Sequence, residues 1–172
     1  MIRSAARGVT LIELLVAMTL GFILIMLAVP AYNTWTSDAE VLNAASSVAD
    51  ALRAASGEAI KQNTAVEFQV TPGAGWVSRV AATGTTIRTA KFAEGSQRAS
   101  FTILPTGANT VTFTSLGGIE GANADASLPI DTIDVNVAGA GRALRVVIGL
   151  TRNGIRVCDP RYSWPLDPKG CP

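Results

Sequence analysis

A chain of 172 residues that sets 14 Lys and Arg against 13 Asp and Glu has a net charge of +1, which argues against a globally basic nucleic-acid binder. It contains no histidine, so Ser/His/Asp and Cys/His catalysis and most proton shuttles near neutral pH are excluded. With 48% hydrophobic residues, 16 glycines, no Walker A sequence, no Rossmann glycine fingerprint and no internal repeat, it fits one modest non-catalytic domain with short turns.

The first element is an apolar run over residues 9–31, 23 residues in which Glu13 is the only charge. That is long enough to cross a bilayer core as a helix. Arg3 and Arg7 precede it, which predicts a cytoplasmic N-terminus and everything after residue 31 on the far side of the membrane. An ionised Glu at the centre of a membrane helix costs roughly 2.5–3.5 kcal/mol on insertion scales, and less near an end. Glu13 therefore lies at the membrane surface or meets a partner, and since none is visible in the chain, the partner comes from elsewhere. A secretory signal would place small residues and a cleavage point after its apolar region, whereas here Gly8 precedes it, so the apolar part is retained.

The stretch "RG/VTLIELLVAMTLGFILIMLAVPAY" closely resembles the class III leader of type IV pilins and type II secretion pseudopilins. The resemblance implies that residues 1–8 are a prepilin leader, cut after Gly8 by a prepilin peptidase that N-methylates the new first residue, Val9. The usual first residue in that family is Phe, so Val9 departs from the pattern. Glu13 then falls at the position whose carboxylate is thought to meet the N-terminal amine of a neighbouring subunit, so the missing partner is supplied by assembly.

Pro30 is expected to kink the helix or loosen its hydrogen-bond ladder. A second helical stretch is predicted over residues 37–62, where Val41, Ala45, Val48, Leu52, Ala55 and Ala59 recur at steps of four and three as the stripe of an amphipathic helix. Residues 9–31 and 32–62 then form one stem of about 80 Å at 1.5 Å per residue. Its lower half is membrane or filament core, and its upper half packs on a sheet. Glu58, Lys61 and Asn63 read as the solvated end and cap of this helix.

From residue 65 the period changes to two. Short Val/Ile/Thr/Phe-rich runs at 65–70, 75–80, 99–104, 110–114, 133–137, 143–150 and 154–158, separated by Gly, Pro, Asn and Ser, predict an antiparallel β domain over residues 63–172. The clearest hairpin turns at Thr151-Arg152-Asn153-Gly154, because Asn-Gly suits a type I′ turn. The fold class is α+β: a long N-terminal helix packed on an antiparallel sheet.

Two further stretches sharpen the family. "ALRAASGEAIKQNTAVEFQV" (residues 51–70) and "GLTRNGIRVCDP" (residues 149–160) resemble the helix-to-strand junction and the closing hairpin of the GspH/FimT family. That hairpin is usually written Gly-Arg-x-Arg before the Cys, and Ile155 stands where the first Arg would be. The likeness covers the leader, the stem and both ends of the domain, but not residues 71–138.

Cys158 and Cys171 both follow the anchor, in an oxidising compartment, and a disulfide between them is favoured. It closes a loop worth roughly 3 kcal/mol in the chain-entropy model. Two Cys without His do not supply the usual zinc set, and no metal or cofactor is expected. The acids Glu120, Asp125, Asp131 and Asp134 either attract a cation or form a solvated loop and strand edge.

Charge is uneven along the chain. Residues 118–138 hold four acids and no base, whereas residues 139–172 hold six bases and two acids. If Arg152, Arg156 and Arg161 face outward they can meet DNA phosphates, and Tyr162 and Trp164 can stack on bases. DNA-binding members of the FimT type use arginines of this region, so the resemblance implies Arg156 directly. The other reading is that these arginines are surface or subunit-interface charges.

The whole describes a structural subunit of a type IV pilus or a type II secretion pseudopilus, anchored by a single pass in the bacterial inner membrane with its domain periplasmic until assembly. Its partners are other pilins through the N-terminal helix and a prepilin peptidase. The alternative is a pilus-tip DNA receptor for natural transformation.

Overall fold

The computed structural model describes residues 9–92, 97–149 and 154–172. Within these, one helix, α1 (Leu11–Gln62), precedes nine strands: β1 (Val66–Thr71), β2 (Gly75–Val80), β3 (Thr86–Lys91), β4 (Ala99–Leu104), β5 (Thr110–Phe113), β6 (Thr132–Val137), β7 (Leu144–Ile148), β8 (Ile155–Ser163) and β9 (Gly170–Cys171).

The two predicted helical stretches are one helix of 52 residues. It begins where Thr10, in extended conformation, accepts the Glu13 N–H on its Oγ1 at 3.3 Å. That satisfies one of the four donors a helix start leaves open. α1 continues through Pro30, whose ring removes the N–H that the Met26 carbonyl would have bonded. It ends at Asn63, which adopts a left-handed conformation (φ 49°) and donates its N–H to the carbonyls of Ala59 and Ile60. Glu58 beside this end accepts hydrogen bonds from Gln62 and Lys61, which hold its carboxyl below the ordinary range.

α1 has two halves with opposite surroundings. Below residue 36, every described side chain except Gly21 is exposed, and the most apolar 18-residue window has a mean hydropathy of 2.6 with none of it buried. Burial starts at Ser37, and all six residues of the predicted stripe, Val41 to Ala59, are buried. Four extra positions on the same face are Ser37, Ala44, Ala49 and Ala51. These are small side chains, so the strands come close to the helix axis and Leu52 fills the space between them.

The strands form two sheets where the sequence suggested one, with orders β3-β2-β1-β5 and β4-β6-β7-β8-β9. All pairings are antiparallel except the last, in which β8 and β9 run parallel. The inner faces supply Val66, Phe68, Val111 and Phe113 from the first sheet and Ile133, Val135, Val146 and Ile148 from the second. Stacking of Phe92, just after β3, on Phe101 of β4 joins the two sheets at 4.0 Å between centroids. Ion pairing adds a tie between distant segments: Arg98 donates to both oxygens of Glu40 at 3.0 and 2.9 Å.

Three strand features depart from the sequence reading. β3, not expected, lies at a sheet edge with four of its six residues exposed, so it shows no alternating apolar face. β8 runs beyond Cys158 through Pro160 to Ser163; its pairing with β7 ends at Cys158, so the missing Pro N–H costs no bond there. β9 has only two residues, which no sequence period can show. Of the predicted hairpin, residues 150–153 lie outside the described residues, and Gly154 has the positive φ of 59° that its place after Asn requires.

Candidate functional site

Two regions carry the residues of interest, one at each end of the chain. At the N-terminal end Gly8 lies outside the described residues. Val9 is 71% exposed and immediately precedes the Thr10 cap. Glu13 is the third residue of the helix, so its carboxylate belongs to the first turn, where helix N–H dipoles favour an anion. Thr10-Leu11-Ile12-Glu13 has the Thr-x-x-Glu form of a capping box, a signal available in the sequence that the apolar run obscured. No partner from the domain reaches this end, because the domain packs on α1 only from Ser37 upward among the described residues.

At the C-terminal end Cys158 and Cys171 are bonded, with Cα atoms 5.1 Å apart. The bridge folds the chain back on itself, so that Asp159 N–H reaches the Lys169 carbonyl at 2.8 Å and Trp164 N–H reaches that of Cys171 at 3.2 Å. Gly170 is required where the two passes meet: a Cβ there would sit 2.6 Å from the Ser163 carbonyl carbon and 2.7 Å from the Trp164 nitrogen.

The candidate cations in this loop have different surroundings. Arg161 donates from Nη2 and Nε to Asp159 at 2.7 and 3.0 Å and from Nη1 to the Gly141 carbonyl at 2.9 Å. The Asp159 side chain is 9% exposed and that of Arg161 52%. The Arg161 hydrogen bonds hold the Asp159 carboxyl below its usual range, and the same contact raises Arg161. Arg156 lies with its guanidinium 4.4 Å from the centroid of the Trp164 ring and donates to the Pro168 carbonyl at 2.6 Å. Trp164 is 47% exposed and Tyr162, 5.8 Å from the Arg161 guanidinium, is 43% exposed. Arg152 lies outside the described residues. The structure thus brings Arg156 to Trp164 and Arg161 to Tyr162, and it engages Arg161 with a residue, Asp159, that the sequence reading had not singled out. The signal for it was the i, i+2 spacing, which puts both side chains on one side of an extended strand.

Two contacts orient this loop along the stem. Arg53 of α1 donates to the Ile155 carbonyl at 3.0 Å, and Asp38 of α1 accepts the Gly141 N–H at 2.8 Å next to Arg161. From Arg53 to Asp38 the helix descends about 22 Å, and from Ile155 to Arg161 the strand covers about 20 Å. β8 therefore runs down the stem, and Arg161 sits at the base of the domain, where the apolar half of α1 emerges.

The four acids of residues 118–138 do not converge. Asp134 is held by Arg145, whose Nη2 lies 2.8 Å from Oδ2, and Asp125 accepts the Ser127 N–H at 3.0 Å. Hydrogen bonds from Ser127 keep the Asp125 carboxyl below its ordinary range, and Asp134 raises Arg145. Among the described residues no three Asp, Glu or Cys side chains gather as a metal ion would need.

A family model described as type II transport protein GspH matches residues 44–151, and a model of the prokaryotic N-terminal methylation motif matches residues 3–29. The fold is similar to a crystal structure of the type IV minor pilin FimU of Pseudomonas aeruginosa strain PAO1, with a TM-score of 0.53 at 17% identity over 74% of this chain and 95% of that one. A second crystal form of the same protein gives a TM-score of 0.46 at 18% identity over 69% and 93% of the two chains. No curated protein matches the chain.

Proposed function

The chain belongs to the GspH family of minor pilins and pseudopilins, a structural and not a catalytic family, and we propose that it enters a filament through the exposed lower half of α1. The observation that carries this is the division of one helix: its upper half is the spine of a domain core, and its lower half is apolar and unburied. Burying each large side chain of that half would stabilise by about 1.5–3 kcal/mol, so it does not stay in water. Before assembly a bilayer covers it, and the domain faces the periplasm; after assembly the same surface lies against neighbouring stems.

In this reading a prepilin peptidase cuts after Gly8 and methylates the amine of Val9. The free amine of one subunit then meets the Glu13 carboxylate of another. In the apolar filament core such a pair offsets a charge that would otherwise be costly, and breaking it by removing one partner leaves the other buried alone. The experiment is Glu13→Ala: membrane insertion is retained, while entry into the filament is impaired. Normal piliation or secretion by the mutant would remove the carboxylate from the mechanism.

A second reading, a DNA receptor, is favoured by Arg156 stacked on the half-exposed Trp164, a cation beside an aromatic face. Arg161 contributes less here than its charge suggests, since Asp159 and Gly141 engage it. With Arg152, Arg156 and Lys169 as the phosphate contacts, DNA affinity should fall with salt at a log–log slope of about −2 to −3, and Arg156→Ala should flatten it by about one. Absence of binding at low salt by the domain lacking residues 1–36, which retains the entire buried core, retires this reading.

A further inference from the structure

The exposed half of α1 ends in two aromatic residues, Tyr32 and Trp35, that are not packed on the core formed by the described residues. They are 63% and 67% exposed, one helical turn apart on the same side, with ring centroids 6.2 Å apart. Below them, apart from Glu13 and Thr19, the chain is apolar down to Leu11; among and above them come Asn33, Thr34, Thr36, Ser37 and Asp38. Burial against the domain begins at Ser37, two residues beyond Trp35. The pair thus stands at the boundary between apolar stem and polar domain.

Tyr and Trp concentrate at both faces of a bilayer, where an amphipathic ring sits among headgroups. We infer that Tyr32 and Trp35 are the outer interfacial anchor of the membrane-resident subunit and fix how deep the stem sits. This rests on the reading of α1 as a membrane anchor and adds its position. The helix itself supplies the ruler. From Glu13 to Tyr32 it rises about 28 Å, against a hydrocarbon thickness of about 30 Å. With the aromatic pair at the outer headgroups, Glu13 falls at the inner ones.

Two other features agree with this depth. The N–H groups of the first turn that Thr10 does not cap need water, which the inner interface supplies and hydrocarbon does not. Within the span, Thr19 returns its hydroxyl to the Val16 carbonyl at 2.9 Å, so it brings no unsatisfied donor into lipid. At the upper boundary Thr34 does the same with the Pro30 carbonyl at 3.2 Å. The resident subunit thus keeps Glu13 at the wet inner surface, and only outward movement of the stem during assembly brings the carboxylate into an apolar setting.

The test is depth-dependent quenching of Trp35 in the full mature chain reconstituted into phosphatidylcholine and phosphatidylglycerol vesicles. Lipids carry bromine either close to the headgroup or close to the chain end. The same measurement on Trp35→Phe subtracts the emission of Trp76 and Trp164. The inference expects shallow bromine to remove more Trp35 emission than deep bromine. Stronger quenching by deep bromine overturns it, because the stem would then sit lower. Vesicle flotation with no quenching of Trp35 by either lipid also overturns it, while leaving the anchor intact. Failure of the wild-type chain to float with the vesicles overturns both the anchor and the inference.

Discussion

Replacing Asp159 with Asn probes what holds the disulfide loop at the base of the domain. The Asn side chain keeps an oxygen for the Arg161 backbone N–H, which lies 3.0 Å from Asp159 Oδ1, but loses the charge that Nε and Nη2 of Arg161 address. The carboxylate is nearly buried while the guanidinium is half exposed, so solvent screens one partner only. A charge-assisted hydrogen bond contributes about 1.5–3 kcal/mol, and discounting for the exposed arginine leaves about 1–2 kcal/mol. With an m-value of about 2 kcal/mol per molar urea, the midpoint at neutral pH should fall by roughly 0.5–1 M. The sign of the pH dependence follows from the lowered Asp159 carboxyl. Its contribution is fully present above the unfolded-state value of about 3.9 and is lost as pH falls through the folded value. Urea titrations of the domain lacking residues 1–36 should therefore show wild type and Asp159→Asn converging below about pH 4. Equal midpoints at neutral pH, or a gap that stays constant into acid, would refute the argument that Asp159 and Arg161 form a structural latch.

Two further substitutions test the packing. Leu52→Ala removes a side chain with no exposed surface between α1 and the sheets, and should cost about 2–5 kcal/mol in the same titration. Gly170→Ala forces a Cβ onto the Ser163 and Trp164 backbone, so protease susceptibility within residues 159–170 should rise even with the disulfide formed, and resistance equal to wild type would show that the two passes can separate at no cost.

The parts of the fold legible in the sequence are those where one face is buried and the other is not. The stem stripe from Val41 to Ala59 repeats with helical period because a sheet covers one side of it, and β1 and β7 alternate for the corresponding reason. β3 was hidden because Thr86, Arg88, Thr89 and Lys91 at a sheet edge carry no burial pattern. Division into two sheets was hidden because period reports which side of a strand is buried, not which strand lies beside it; nothing in Thr110–Phe113 says that its neighbour is β1 and not β4. The cysteine pair was readable from count, since two cysteines without histidine make a disulfide the favoured reading. The fate of Arg161 was not: its charge suggested an outward ligand group, and only the return of the loop onto Gly141 and Asp38 shows it bonded within the chain. At the other end, the oddness of one carboxylate in an apolar run was plain, while the Thr10 cap that places it in the first helical turn was equally present and needed a second pattern to see.

Entry into a filament as proposed requires a cut between Gly8 and Val9. An intact-mass and N-terminal analysis of the membrane-bound protein, from cells with an active prepilin peptidase, addresses it directly. The expected result is a chain that begins at Val9 and carries one added methyl group on its amine, and a bulky replacement such as Gly8→Glu should leave the leader in place. A wild-type chain in those cells that still begins at Met1 would contradict the account, since its amine could not then reach a neighbour's Glu13 from the start of the helix.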